Sequence, residues 1–179
     1  MPLLVAFLRA VNVGGRVVKN ETLVRCFAGA GFRDARCFRA SGNVVFTPDG
    51  TRTDQIRKAL EPALERDLGY PVPVMLRPMA SLGSLLGLAP FKRPPDAGES
   101  RLVTFLSSPV APFPIPLPFR IQGSTAVLVS ATKSEVFSTS RGGGDSALPN
   151  PLLESRLGVK ATTRNINVVR DIVERFGAP

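Results

Sequence analysis

The sequence predicts an α+β protein, with an N-terminal half in ferredoxin-like β-α-β-β-α-β order packed against a smaller, less regular C-terminal α+β half. Three observations carry this reading. Residues 3–11 form a strand apolar on both faces, two amphipathic helical stretches alternate with short strands up to residue 77, and prolines and glycines break the pattern beyond residue 79. The expected division is 1–78 and 79–179, the two parts forming one compact body.

In the opening strand Leu4, Ala6 and Leu8 share one face and Leu3, Val5 and Phe7 the other, so both should be dry. Residues 20–30 place Leu23, Cys26, Phe27 and Ala30 on one helical stripe, with Asn20 as N-cap and Gly31 as stop. A strand near 35–40, a Ser41-Gly42 turn and the strand NVVFT follow. The next helix, capped by Thr53 or Asp54, carries Ile56, Leu60, Ala63 and Leu64 inward. Pro62 should kink or break it, since an interior proline costs about 3 kcal/mol. Gly69 and Pro71 end it, and VPVML completes the first half.

In the second half SLGSLLGL at 81–88 reads as a short helix, RLVTFL at 101–106 as a strand, and 119–130 as a hairpin turning near Gly123. Five prolines at 109–118 exclude a helix or central strand, leaving an extended edge connector. SRGGGDS at 140–146 reads as a mobile loop that lacks the spacing of a phosphate loop. Asn150-Pro151 opens a helix ended by Gly158, and Val169, Ile172, Val173 and Phe176 line the last one.

Composition narrows the chemistry. The chain has 179 residues, of which 44% are hydrophobic and 21% charged. No apolar run approaches the roughly 20 residues that span a bilayer, and no basic n-region or cleavage site precedes the first strand. The expectation is a cytoplasmic protein with no membrane partner. Histidine is absent, which excludes a Ser-His-Asp triad and histidine-based zinc sites. Cys26 and Cys37, the two cysteines, make neither a CxxC pair nor a disulfide framework and read as small apolar residues. Neither a metal nor a cofactor is implied. The net charge of +9, from 23 Lys and Arg against 14 Asp and Glu, points to a polyanionic partner, although scattered arginines also serve merely to solvate a surface.

Three stretches stand apart: LRAVNVGG at 8–15, ASGNVVF at 40–46 and TTRNINVV at 162–169. Each sets Asn beside Gly, Ser, Thr or Arg at the end of a regular element. Singly, each has an ordinary explanation. Asn12 tolerates left-handed backbone before Gly14-Gly15, Ser41-Gly42-Asn43 suits a hairpin turn, and Thr163 or Asn165 suits a helix N-cap. Together they resemble a bacterial family catalogued as "domain of unknown function 1697", whose members carry LRGINVGG, SGNVVF and TxRNWNTV in this order. This chain departs at Ala10 for Gly, Ile166 for Trp and Val168 for Thr. The resemblance implies a two-part α+β protein with a ferredoxin-like first half and implies no activity. The matched positions able to carry function are Arg9, Asn12, Gly14, Gly15, Ser41, Asn43, Thr163, Arg164 and Asn165.

Two arginines, amides, a serine and a helix start would suit an anion, and TTRN at a helix N-terminus would add its dipole. The leading expectation is therefore a binding module for a phosphate-bearing small molecule or nucleic-acid backbone where the two halves meet. One alternative is an enzyme of unassigned reaction, with Arg9 and Arg164 stabilising an oxyanion, Lys19 as base and Ser41 as nucleophile. Others are a protein-interaction or structural role, or Arg9 and Arg164 acting as a clamp between the halves. The sequence decides neither catalysis nor oligomeric state.

Overall fold

Strand β1 (Leu4–Leu8) is buried at every residue, as expected of a strand with no polar face. The computed structural model describes residues 3–15, 17–40, 42–48, 50, 52–142 and 148–177. Ser41 and most of the 140–146 loop, Gly143 to Ser146, lie outside them. The chain divides into two compact units, residues 1–84 with 172–179, and residues 85–171.

The first unit contains α1 (Asn20–Gly29), β2 (Arg36–Cys37), β3 (Asn43–Phe46), α2 (Thr53–Leu68) and β4 (Val74–Pro78). Its sheet runs in the order β2-β3-β1-β4, antiparallel throughout, which is the ferredoxin-like arrangement the sequence predicts. Leu4, Ala6 and Leu8 meet Val44, Phe46, Val74 and Leu76 beneath Leu23 and Phe27 of α1 and Ile56, Leu60 and Leu64 of α2. The opposite face, with Val5, Phe7, Val45 and Met75, is also buried. Alternate residues of a strand point oppositely, so this sheet is dry on both sides.

Some local expectations need correction. Helix α2 continues through Pro62. Pro62 and Lys58, whose carbonyl loses its partner, are both exposed, so the lost bond falls on the solvent side of the helix while Leu60, Ala63 and Leu64 anchor the buried stripe. Asn20, Thr53 and Asp54 are not caps; Lys19 and Arg52 hold those positions without side-chain hydrogen bonds.

Helix α3 (Met79–Gly87) begins in the first unit and ends in the second, which holds β5 (Glu99–Leu106), β6 (Phe119–Arg120), β7 (Val127–Ala131), β8 (Glu135–Arg141), α4 (Asn150–Leu157) and β9 (Ala161–Asn165). Its sheet runs β6-β7-β8-β5-β9. The hairpin near Gly123 is present. Strand β8, at the sheet's centre, has no counterpart in the sequence reading. The proline-rich segment contains neither helix nor strand. It is fastened to the unit by Ile115, which is buried with Leu106, Leu128, Val136, Leu153 and Ala161, while Phe113 and Leu117 pack alongside. Helix α5 (Ile166–Phe176) begins in the second unit and ends in the first. No helix among the described residues is long and apolar enough to cross a membrane.

Candidate functional site

The residues singled out by motif fall in two places. In the first unit, Arg9 to Gly15 follow β1 as a loop with four left-handed residues, Ala10 (φ 59°), Asn12 (φ 59°), Gly14 (φ 63°) and Gly15 (φ 80°). Asn12 holds this loop in shape. Its Nδ2 donates to the Ala40 carbonyl at 2.6 Å, and its Oδ1 accepts from the Val18 N–H at 2.6 Å. Asn43 is fully buried, and its Nδ2 donates to the Phe38 carbonyl at 3.2 Å across the β2-β3 turn. Gly42 is required there twice over. Its φ is +65°, and an added Cβ would lie 3.1 Å from both Leu8 Cβ and Val11 Cβ. The Arg9 N–H bonds the Pro73 carbonyl at 3.0 Å. Lys19 is exposed at the start of α1.

In the second unit, TTRN does not open a helix. Residues 161–165 pair with β5, setting Thr163 opposite Thr104 and Arg164 opposite Val103. β-branched Thr162 and Thr163 suit a strand. Only Asn165 has the expected capping geometry, its Oδ1 accepting from the Asn167 N–H at 2.9 Å. The Thr163 hydroxyl donates to Asn150 Oδ1 at 2.5 Å and lies 2.7 Å from the Thr104 hydroxyl. A hydroxyl has one proton, so Thr104 must donate to Thr163. Asn150 thus accepts from β9 and does not cap α4, whose preceding residue is Pro149. Arg164 donates from Nη1 to Thr162 Oγ1 and the Thr163 carbonyl, both at 2.8 Å. Burial pushes its guanidinium down, to about 10, which still leaves it charged at neutral pH.

A cavity of about 480 Å³ in the second unit brings together Asn165 and Asn167, both from the TTRNINVV stretch, with groups no motif marked: Arg170, Glu99, Arg101 and Phe91. Its volume falls in the range of small-molecule sites. Arg170 lies one turn along α5 and donates to Asn167 Oδ1 at 2.6 Å. The Arg101 guanidinium stacks 4.8 Å from the Phe91 ring centre. The Glu99 side chain is only 3% exposed and pairs with Arg93 through Oε2. Its Oε1 lies 3.8 Å from Arg101 Nε, too far for a hydrogen bond. Neither buried atom has a hydrogen-bond partner among the described residues, and each such omission costs about 1–3 kcal/mol. A second cavity, of about 440 Å³, adjoins the first, sharing Pro90, Phe91, Glu99 and Arg101 and adding Pro118, Val127 and Val129. Glu99 and Arg101 were legible only as a period-two pair at the start of a strand, which places both on one face. Nothing in the sequence marked α5's first turn as their neighbour.

Among the described residues no cluster of three His, Cys, Asp or Glu could hold a metal ion. A comparison with curated proteins finds no match. Among solved structures, the conserved bacterial protein SP0830 from Streptococcus pneumoniae is similar over 99% of both chains, with a TM-score of 0.68 and 17% sequence identity. At that identity the likeness speaks for the fold, the same mixed α+β architecture over the whole length. The family model described as "Protein of unknown function (DUF1697)" matches residues 1–115. That span holds the LRAVNVGG loop and the SGNVVF hairpin whose backbone demands are set out above, and by it this chain belongs to the DUF1697 family.

Proposed function

We propose that this protein is a binding module for a phosphate-bearing ligand, held in the second unit's cavity by Arg101, Arg170, Asn165 and Asn167. The observation that supports it is the meeting of two guanidinium groups and two amides in one small-molecule-sized space. Guanidinium forks match phosphate oxygens in geometry and charge. Arg170 has no carboxylate partner among the described residues, so its charge is available. The expected outcome is micromolar-to-millimolar binding of phosphomonoesters by calorimetry. Arg170→Ala should weaken it at least about tenfold while changing stability by less than about 1 kcal/mol. Equal affinity in the variant and wild type would refute the assignment.

A second reading, contact with nucleic-acid backbone, is favoured by a different observation. In the first unit Phe38 and Phe176 pack edge to face at 6.0 Å. Arg36 and Arg175 lie 5.2 and 5.7 Å from the Phe176 ring centre, and Arg39 lies 5.4 Å from that of Phe38. Three exposed guanidinium groups on one aromatic pair make a compact basic patch. Retention on immobilised RNA or DNA, lost on reversing Arg36 and Arg175 to Glu and weakening steeply with salt, is expected. Salt-insensitive retention would rule out backbone contact.

A further inference from the structure

We propose that the cavity pair takes a nucleotide whose base presents an amidine edge, an exocyclic amine beside an unprotonated ring nitrogen, as adenine and cytosine do. This rests on the phosphate-binding reading above and extends it to the rest of the ligand. Glu99 Oε1 is an acceptor without a donor, and Arg101 Nε carries a proton without an acceptor. The two atoms stand 3.8 Å apart, in the wall common to both cavities. A group that donates beside the place where it accepts satisfies both. The amine of an amidine edge donates to Glu99, and its ring nitrogen accepts from Arg101. The inverse edge of hypoxanthine, carbonyl beside N–H, would set acceptor against acceptor and donor against donor when the base keeps the orientation that its phosphate fixes.

The surroundings agree with a flat, part-apolar body. The adjoining cavity is walled by Pro90, Phe91, Pro118, Val127 and Val129, surfaces on which a base can lie. Arg170, Asn165 and Asn167 stand in the other cavity, where the phosphate would sit. The lone Glu99 carboxylate is consistent with this polarity. A free anion alone gains nothing from a buried acceptor, whereas a ligand with a donor at one end and an anion at the other uses Glu99 as well as the guanidinium groups and amides.

The test is calorimetric titration of the full-length protein with AMP, IMP and adenosine. AMP is expected to bind about tenfold or more tightly than IMP, because a buried matched pair is lost in the second member. Glu99→Gln, which can turn its amide N–H₂ toward the ligand, should erase or invert the AMP-over-IMP preference. Should that variant fail to fold, the wild-type comparison decides alone. Equal affinities for AMP and IMP in the wild type would overturn the amidine contact. AMP and adenosine binding equally well would instead overturn the phosphate reading while leaving the edge contact standing. No binding of any of the three would overturn both.

Discussion

Ala10 has a backbone that suits glycine. At φ 59° an L-residue pays about 1–2 kcal/mol against glycine, and family members resembling LRGINVGG place glycine there. Ala10→Gly should raise stability by about 0.5–1 kcal/mol, the gain being trimmed by glycine's greater freedom in the unfolded chain; a fall in the urea midpoint would contradict it. Asn12 combines the same backbone with two side-chain hydrogen bonds. Asn12→Ala should cost about 2–4 kcal/mol, and Asn12→Gly should recover the backbone part of that loss. The thiols supply a pH dependence. Burial, then Asp67, pushes the Cys26 thiol up to about 11, and burial, then Glu21, does the same for Cys37, from an ordinary 9.0. Between these values the unfolded chain has released protons that the folded one retains, so stability falls as pH rises from about 9. Above about 10 the depressed guanidinium of Arg164 acts in the opposite direction, because there the unfolded chain retains its proton. Urea midpoints between pH 9 and 10 should therefore decline, and decline less in Cys26→Ala.

Strands β5 and β9 and helix α4 are tied by Thr104, Thr163 and Asn150 in series. Thr163→Val keeps the shape and leaves a buried hydroxyl and an amide oxygen unpaired, a loss of about 1–3 kcal/mol. Thr104→Val in the same chain should add less than its separate cost, and full additivity in the double-mutant cycle would show the three groups to be independent. The same elements show what a sequence conceals. The ferredoxin-like half was legible because its strands alternate with amphipathic helices and its turns carry Gly42 and Gly69 where left-handed backbone is needed. Strand β8 was not, because SEVFSTS reads as polar. Ser138 and Ser140 are buried nonetheless, between the paired strands β5 and β7. TTRN suggested a cap by composition, and the register with β5 made it a strand with only Asn165 left over to cap α5. Of the motif stretches, the first two supply Asn12 and Asn43, which hold loops closed, and TTRNINVV supplies Asn165 and Asn167 to the cavity. The cavity's polar groups come from β5, β9 and α5, 66 positions apart between Glu99 and Asn165, a proximity that the pairing of β5 with β9 creates.

At the scale of the whole chain, a net charge of +9 and an isoelectric point near 10.7 favour solubility at neutral pH and attraction to polyanions. The hairpin sheet of the first unit offers no open aromatic platform, since both its faces are buried, so base stacking on it is excluded. The first unit is also discontinuous in sequence: residues 85–171 stand between its main body and its final residues. Phe176, which meets Phe38, is synthesised only after all of residues 85–171. During synthesis the βαββαβ segment therefore emerges and waits with Phe38 uncovered while the whole intervening unit is made. A stop codon shortly before residue 172 would leave a nascent chain holding a complete second unit and an unfinished first one, a form whose bared aromatic surface invites chaperones and proteases.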